Sequence, residues 1–145
     1  MRRALRIGVF TLVALAAVAE AADSRRSEYV LILHPAIPVS RLDRKFVAEA
    51  FLRRTTRWPD ATPIRPVDLG PDAPPRVRFS LEILSRSVAS VRSYWQQQIF
   101  SGQGLPPPEL ADDTAVVFYV LSHPGAIGYV AAGTSLNGAR AVEVN

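Results

Sequence analysis

Pro124-Gly125-Ala126-Ile127-Gly128-Tyr129-Val130 closes one element and opens another. Proline lacks the N–H that would continue a helix, and glycine readily takes the left-handed conformation that ends one. Ile127–Val130 then reads as a short buried strand, with Gly128 leaving space for a close neighbour. Just upstream, Ala115–Leu121 is seven apolar residues in a row. By composition that run suits a strand, but Asp112 or Asp113 can cap a helix there and Pro124-Gly125 can stop it, which favours a helix. Ala126–Ala131 and Ala141–Val144 are the last two expected strands.

Working toward the N-terminus, Leu105–Leu110 holds three successive prolines and is expected to be a rigid extended connector. Ser101-Gly102-Gln103-Gly104 breaks the helix before it. In that helix, capped by Ser87, Val88, Val91, Trp95 and Ile99 recur at helical spacing. A further helix is predicted from about Arg76 to Leu84, with Val77, Leu81 and Leu84 on one stripe. Leu69–Pro75 is a loop rich in Pro, Gly and Asp, and Ile64–Asp68 a strand in which Pro66 implies an edge position or a strand end. Thr55–Pro63 is a turn region centred on Pro59-Asp60. Ser40-Arg-Leu-Asp43 fits a capping box opening a helix that fades near Arg53, with Val39, Leu42, Phe46, Val47, Ala50 and Phe51 facing inward. Tyr29–Leu33 is a continuous β-prone run, as in a strand covered on both faces. Alternating strands and helices predict an α/β layer with helices on a mostly parallel or mixed sheet.

Residues 1–21 read as a secretory signal peptide. Arg2, Arg3 and Arg6 precede an uncharged run, Ile7–Val18, and Ala19-Glu20-Ala21 offers small residues for cleavage after Ala21. Residues 22–28 are a flexible leader and 29–145 the folded domain. Cleavage would remove Arg2, Arg3, Arg6 and Glu20 and take the net charge from +4 to +2, which argues against a nucleic-acid partner. The chain has no cysteine, so no disulfide, thiol nucleophile or thiolate metal site. It has two histidines, His34 and His123, both beside prolines and neither spaced for a catalytic triad or a metal centre. A composition that is 48% hydrophobic supplies an ordinary core. No cofactor is expected, and nothing in the sequence argues for an enzyme.

Several segments together resemble the phosphate-type periplasmic solute-binding proteins that serve ABC transporters. Tyr29–Pro35 looks like the strand entering that family's second lobe, and Leu42–Phe51 like the helix that follows. Phe51–Ile64 is similar to the family's F-x-G-x-x-x-x-W-x-D-G-x-x-I pattern, Tyr94–Gly102 to its W-x-x-x-x-F-x-G helix end, and Pro124–Val130 to its P-G-A-I-G-Y-V element. The resemblance implies a single lobe of a type II periplasmic-binding-protein-like fold, a mixed sheet flanked by helices. It further implies periplasmic, non-catalytic binding of phosphate or another small oxyanion.

The ligand loop departs from the family's R-x-D-x-S-G-T pattern, in which amides and hydroxyls at a helix N-terminus hold the anion. Here it reads Arg65-Pro-Val-Asp68-Leu-Gly70-Pro-Asp72-Ala-Pro-Pro-Arg76, with no Ser-Gly-Thr and with prolines at 71, 74 and 75 removing amide donors. Candidate ligand contacts are Asp68, Gly70 and Arg76, with Thr55 and Thr56 supplying hydroxyls. Trp58, Tyr94, Trp95 and Phe100 are expected to pack in the core or at a hinge. An alternative function follows from the altered loop. The lobe's exposed cleft face would serve as an interaction module, forming a homodimer or docking to a membrane transporter or sensor partner.

Overall fold

The computed structural model describes residues 28–145. The expected signal peptide and all of the expected leader except Glu28 lie outside the described residues. Strands are β1 (Tyr29–Leu33), β2 (Arg41–Leu42), β3 (Arg65–Pro66), β4 (Asp68–Leu69), β5 (Glu109–Leu110), β6 (Ala126–Ala131) and β7 (Arg140–Val144). Helices are α1 (Arg44–Phe51), α2 (Pro74–Glu82), α3 (Val88–Phe100) and α4 (Asp113–Ser122). The main sheet is mixed, in the order β2-β7-β1-β6-β3. Strand β1 runs antiparallel to both β6 and β7, while β2 is parallel to β7 and β3 to β6. A separate parallel ladder joins β4 to β5.

Alternation along β6 divides the core into two layers, because successive side chains point to opposite faces. Gly128 lies under α4, where a Cβ would stand 2.9 Å from Val116 Cγ1 and 2.8 Å from Val67 Cγ1. Its neighbour Tyr129 points to the other face and stacks on Phe79 of α2, ring centroids 4.1 Å apart and 9° from parallel. Phe51 of α1 and Tyr29 of β1 complete that aromatic layer. Phe79 is fully buried, a contribution of about 1.5–3 kcal/mol for a side chain of this kind.

Both ends of α4 form as the sequence implies. Asp112 caps it by accepting from Ala115 N–H at 2.8 Å, and Gly125 follows at φ +84°. Ser87 caps α3 through Ser90 N–H. Pro66 sits on the sheet's outermost strand, where its missing donor costs nothing.

The structure corrects four details. Helix α1 starts after Asp43, whose carboxylate accepts from Lys45 and Phe46 N–H at 2.7 and 3.4 Å. Ser40 does not cap it, because Arg41–Leu42 are drawn into the sheet beside Glu143–Val144. The expected strand Ile64–Asp68 is two short strands in different sheets, β3 and β4. Helix α2 begins at Pro74, and its inward face is Arg76, Phe79, Ser80 and Ile83, while Val77 and Leu81 are exposed. On α3 the buried stripe stops at Trp95; Ile99 is half-exposed and Phe100 is 94% exposed. Trp58 and Trp95 are core residues, as expected. Trp58 also donates its indole N–H to the Gly125 carbonyl at 3.0 Å, tying the Thr55–Pro63 turn to the end of α4.

Candidate functional site

The β4–β5 ladder places the chemistry. Asp68 N–H donates to the Pro108 carbonyl at 2.9 Å and Gly70 N–H to the Leu110 carbonyl at 3.1 Å. These bonds hold the loop that leads into α2 against the proline-rich connector. Asp68 then faces inward, and Arg76, in the first turn of α2, reaches back to meet it. Both side chains are buried, 7% and 4% exposed, with Arg76 Nη1 3.4 Å from Asp68 Oδ2. That nitrogen makes its short bond elsewhere, donating to the Leu69 carbonyl at 2.7 Å. Tyr129 donates its phenol to Asp68 Oδ1 at 2.7 Å. Glu109 approaches the same Arg76 nitrogen from the surface side, at 3.7 Å.

Burial dominates the electrostatics here. Loss of solvation pushes the Asp68 carboxyl up to about 6, against the opposing pull of Arg76 and the Tyr129 hydrogen bond. The long ion-pair contact explains why Arg76 does not win. Burial and the Asp68 charge together hold the Tyr129 phenol far above its usual range. Arg76 Nε and Ser80 Oγ are buried without partners among the described residues.

Asp68, Gly70 and Arg76 are therefore brought together, but largely engaged with the protein itself. Gly70 N–H is committed to Leu110. At the start of α2, Pro74 and Pro75 have no N–H, Ala73 has no side-chain cap bond, and Ala73 N–H is bound by the Gly70 carbonyl. Arg76 N–H is the one donor left in that first turn. Thr55 and Thr56 lie elsewhere, ahead of β3, whereas Asp68 follows it. Thr55 Oγ1 donates to Glu49 at 3.2 Å, and the Thr56 carbonyl accepts from Ile64 N–H.

The open surface beside this network belongs to α3. A recess of about 310 Å³ lies between Pro71-Asp72 and the first turn of α3, lined by Val88, Ala89 and Arg92. There Ser87 Oγ takes Ser90 N–H and the Ser87 carbonyl takes Val91 N–H, leaving those of Val88 and Ala89 without helical acceptors. Arg92 is exposed and makes no ion pair with any described residue. A second, smaller pocket of about 180 Å³ adjoins it on the Trp95 side. A groove of about 420 Å³ at the sheet's β7 side, bordered by Arg44, Glu82 and Glu143, carries two carboxylates and is the poorer anion site.

Arg92, Glu109 and Tyr129 were not legible as site residues. Tyr129 sits in the segment that fixes the fold, and its spacing from Gly128 gives its face but not its partner. Arg92 occupies an ordinary polar position on α3.

The histidines are structural. His34 Nδ1 accepts from Ala36 N–H, while His123 stacks on Tyr119 with its Nδ1 2.8 Å from the Tyr119 carbonyl. Among the described residues, no group of three or more His, Cys, Asp or Glu side chains could hold a metal ion, and no helix is long and apolar enough to cross a membrane.

The architecture is that of one lobe of a phosphate-receptor-type protein. An ABC-type phosphate transport receptor from Vibrio cholerae superposes with a TM-score of 0.59 at 17% identity, covering 81% of this chain and 46% of that one. A Clostridium perfringens protein, described as a candidate phosphate ABC transporter substrate-binding protein and holding bound phosphate, gives 0.61 at 19%, covering 81% and 44%. PstS from Borrelia burgdorferi gives 0.61 at 12%, covering 81% and 47%. The chain thus spans about half the length of these proteins, and at such identities the likeness is one of fold. No protein-family model and no curated protein matches the sequence.

Proposed function

We propose that this chain is an exported, non-catalytic solute-binding lobe that takes a small oxyanion, phosphate first among them, in uptake through an ABC transporter. The observation that carries the reading is the recess at the start of α3. It combines a guanidinium, Arg92, and two amide donors, all without partners among the described residues, on a lobe whose fold is that of phosphate receptors. Amides and a guanidinium at a helix N-terminus can receive a desolvated anion without a buried counter-charge. Asp68, Gly70 and Arg76 hold the neighbouring loop in shape, while Arg92 makes the ligand contact. Thr55 is bonded to Glu49, and the Thr56 carbonyl pairs with Ile64 N–H. The expected signal peptide supports a periplasmic location.

Thermal unfolding of the purified protein with phosphate, with sulfate and chloride as controls, tests this. Phosphate at about 100 times its dissociation constant adds about 2.7 kcal/mol of stability. Arg92→Ala is expected to abolish the rise. No phosphate-specific rise in the unaltered protein overturns the reading.

One observation favours a second reading, the interaction module. The prolines at the start of α2 remove donors from the position where the resembled family holds its anion. Absence of any anion response, together with a dimeric mass in solution, would put that reading first.

A further inference from the structure

We propose that the smaller pocket on α3 binds a free α-amino acid with a short apolar side chain. The inference rests on Arg92 as an anion contact, as above; its other residues are independent of that reading. The pocket lies between Pro71, the outward face of α3 and the connector at Pro106, and holds about 180 Å³. That is below the roughly 300–1,000 Å³ of most small-molecule sites, so the ligand must be compact.

The charges lining this pocket are arranged as a pair of opposites. Asp68 and Arg76 offset each other beneath it. Among the described residues that line it, what remains is one unpaired cation, Arg92, and one carboxylate, Glu109, whose side chain is 46% exposed. Glu109 lies 3.7 Å from Arg76, too far for a hydrogen bond, so its oxygens remain able to accept. The same lining includes the apolar residues Trp95, Ile99 and Pro106. Gln96 is a further polar residue of the lining.

Inorganic phosphate matches this lining poorly, because Glu109 repels it and the apolar wall gains nothing from it. An α-amino acid uses every feature. Its carboxylate is received by Arg92 with Gln96, its ammonium by Glu109, and its side chain covers Trp95 and Ile99.

Isothermal titration of the purified protein with L-leucine, L-leucinamide, N-acetyl-L-leucine and phosphate decides the matter. Leucine is expected to bind saturably in the micromolar to millimolar range. Leucinamide loses the carboxylate and N-acetylleucine the ammonium. Each should bind at least about tenfold more weakly, as the loss of one charge-assisted hydrogen bond implies. Arg92→Ala and Glu109→Gln should each weaken leucine binding about tenfold or more. Arg92 is exposed, so its variant keeps the fold and its unfolding midpoint. Glu109→Gln should leave any phosphate response intact. No saturable heat with leucine overturns the proposal, as does equal binding of leucine and leucinamide or unchanged leucine affinity in Arg92→Ala. Phosphate binding without leucine binding would leave the oxyanion reading standing and this one refuted; leucine without phosphate does the reverse.

Discussion

The buried Asp68 gives the sharpest test of the electrostatics beneath the site. Its carboxyl is pushed from 3.8 up to about 6, chiefly by burial. At about 1.4 kcal/mol per pKa unit, that displacement is worth about 3 kcal/mol. The sign follows from which state holds the proton more tightly. The folded protein does, so this contribution to stability is fully present below 3.8 and is lost as pH rises through about 6. To isolate this group, the comparison is with Asp68→Asn, which keeps the shape and removes the titration. Urea unfolding of both proteins at several values between about pH 4 and pH 8 gives the difference in unfolding free energy at each. The advantage of the unaltered protein over Asp68→Asn should shrink by about 2.4 kcal/mol across that interval, because at pH 4 the unfolded carboxyl is already partly ionised. A difference that stays level, or grows with pH, would refute the reasoning. Growth would mean that Arg76, despite its 3.4 Å contact, stabilises the carboxylate more than burial penalises it.

Four further substitutions test the scaffold by chemical denaturation. Gly128→Ala places a methyl against Val67 and Val116 within 3 Å, and overpacking of that kind should cost about 1–3 kcal/mol. Asp43→Ala removes the α1 cap and should cost about 1 kcal/mol, whereas Ser40→Ala should be nearly silent; the reverse order would restore Ser40 as the cap. Trp58→Phe should cost about 1 kcal/mol, because the Gly125 carbonyl that loses the indole keeps its bond from Arg65 N–H.

The parts of the fold that were legible are those with a local cause. Asp112, Ser87, Pro124 and Gly125 act within a few residues of themselves, so the bounds of α3 and α4 could be anticipated from sequence. The two-residue strands had no such cause. Arg41–Leu42 is a strand only because β7, about a hundred residues later, lies alongside it, and Glu109–Leu110 only because β4 does. Helix α2 misled for a different reason. Its buried face includes Arg76 and Ser80, polar residues that hydrophobic periodicity assigns to solvent, so periodicity places the stripe at Val77, Leu81 and Leu84, of which Leu84 alone is buried.

One segment sets both the packing of the sheet and the surroundings of Asp68. Gly128 fixes the closeness of α4 to the sheet, and the alternation that turns Gly128 toward α4 turns Tyr129 toward Asp68. The segment that decides the fold therefore also supplies the phenol that occupies Asp68 Oδ1. The other oxygen faces Arg76, so this carboxylate is not positioned to accept a proton from a bound phosphate. With Arg76 drawn inward by Asp68 and the Leu69 carbonyl, and with prolines at the head of α2, the loop after β4 has little left to offer an anion. The proposed oxyanion contact is therefore placed on the neighbouring helix, where Arg92 is solvent-facing and unpaired among the described residues. None of this was visible in the loop sequence, because Asp68 and Arg76 are the same residue types whether they face a ligand or each other. Tyr129, 61 residues from Asp68, is what turns that aspartate toward the core.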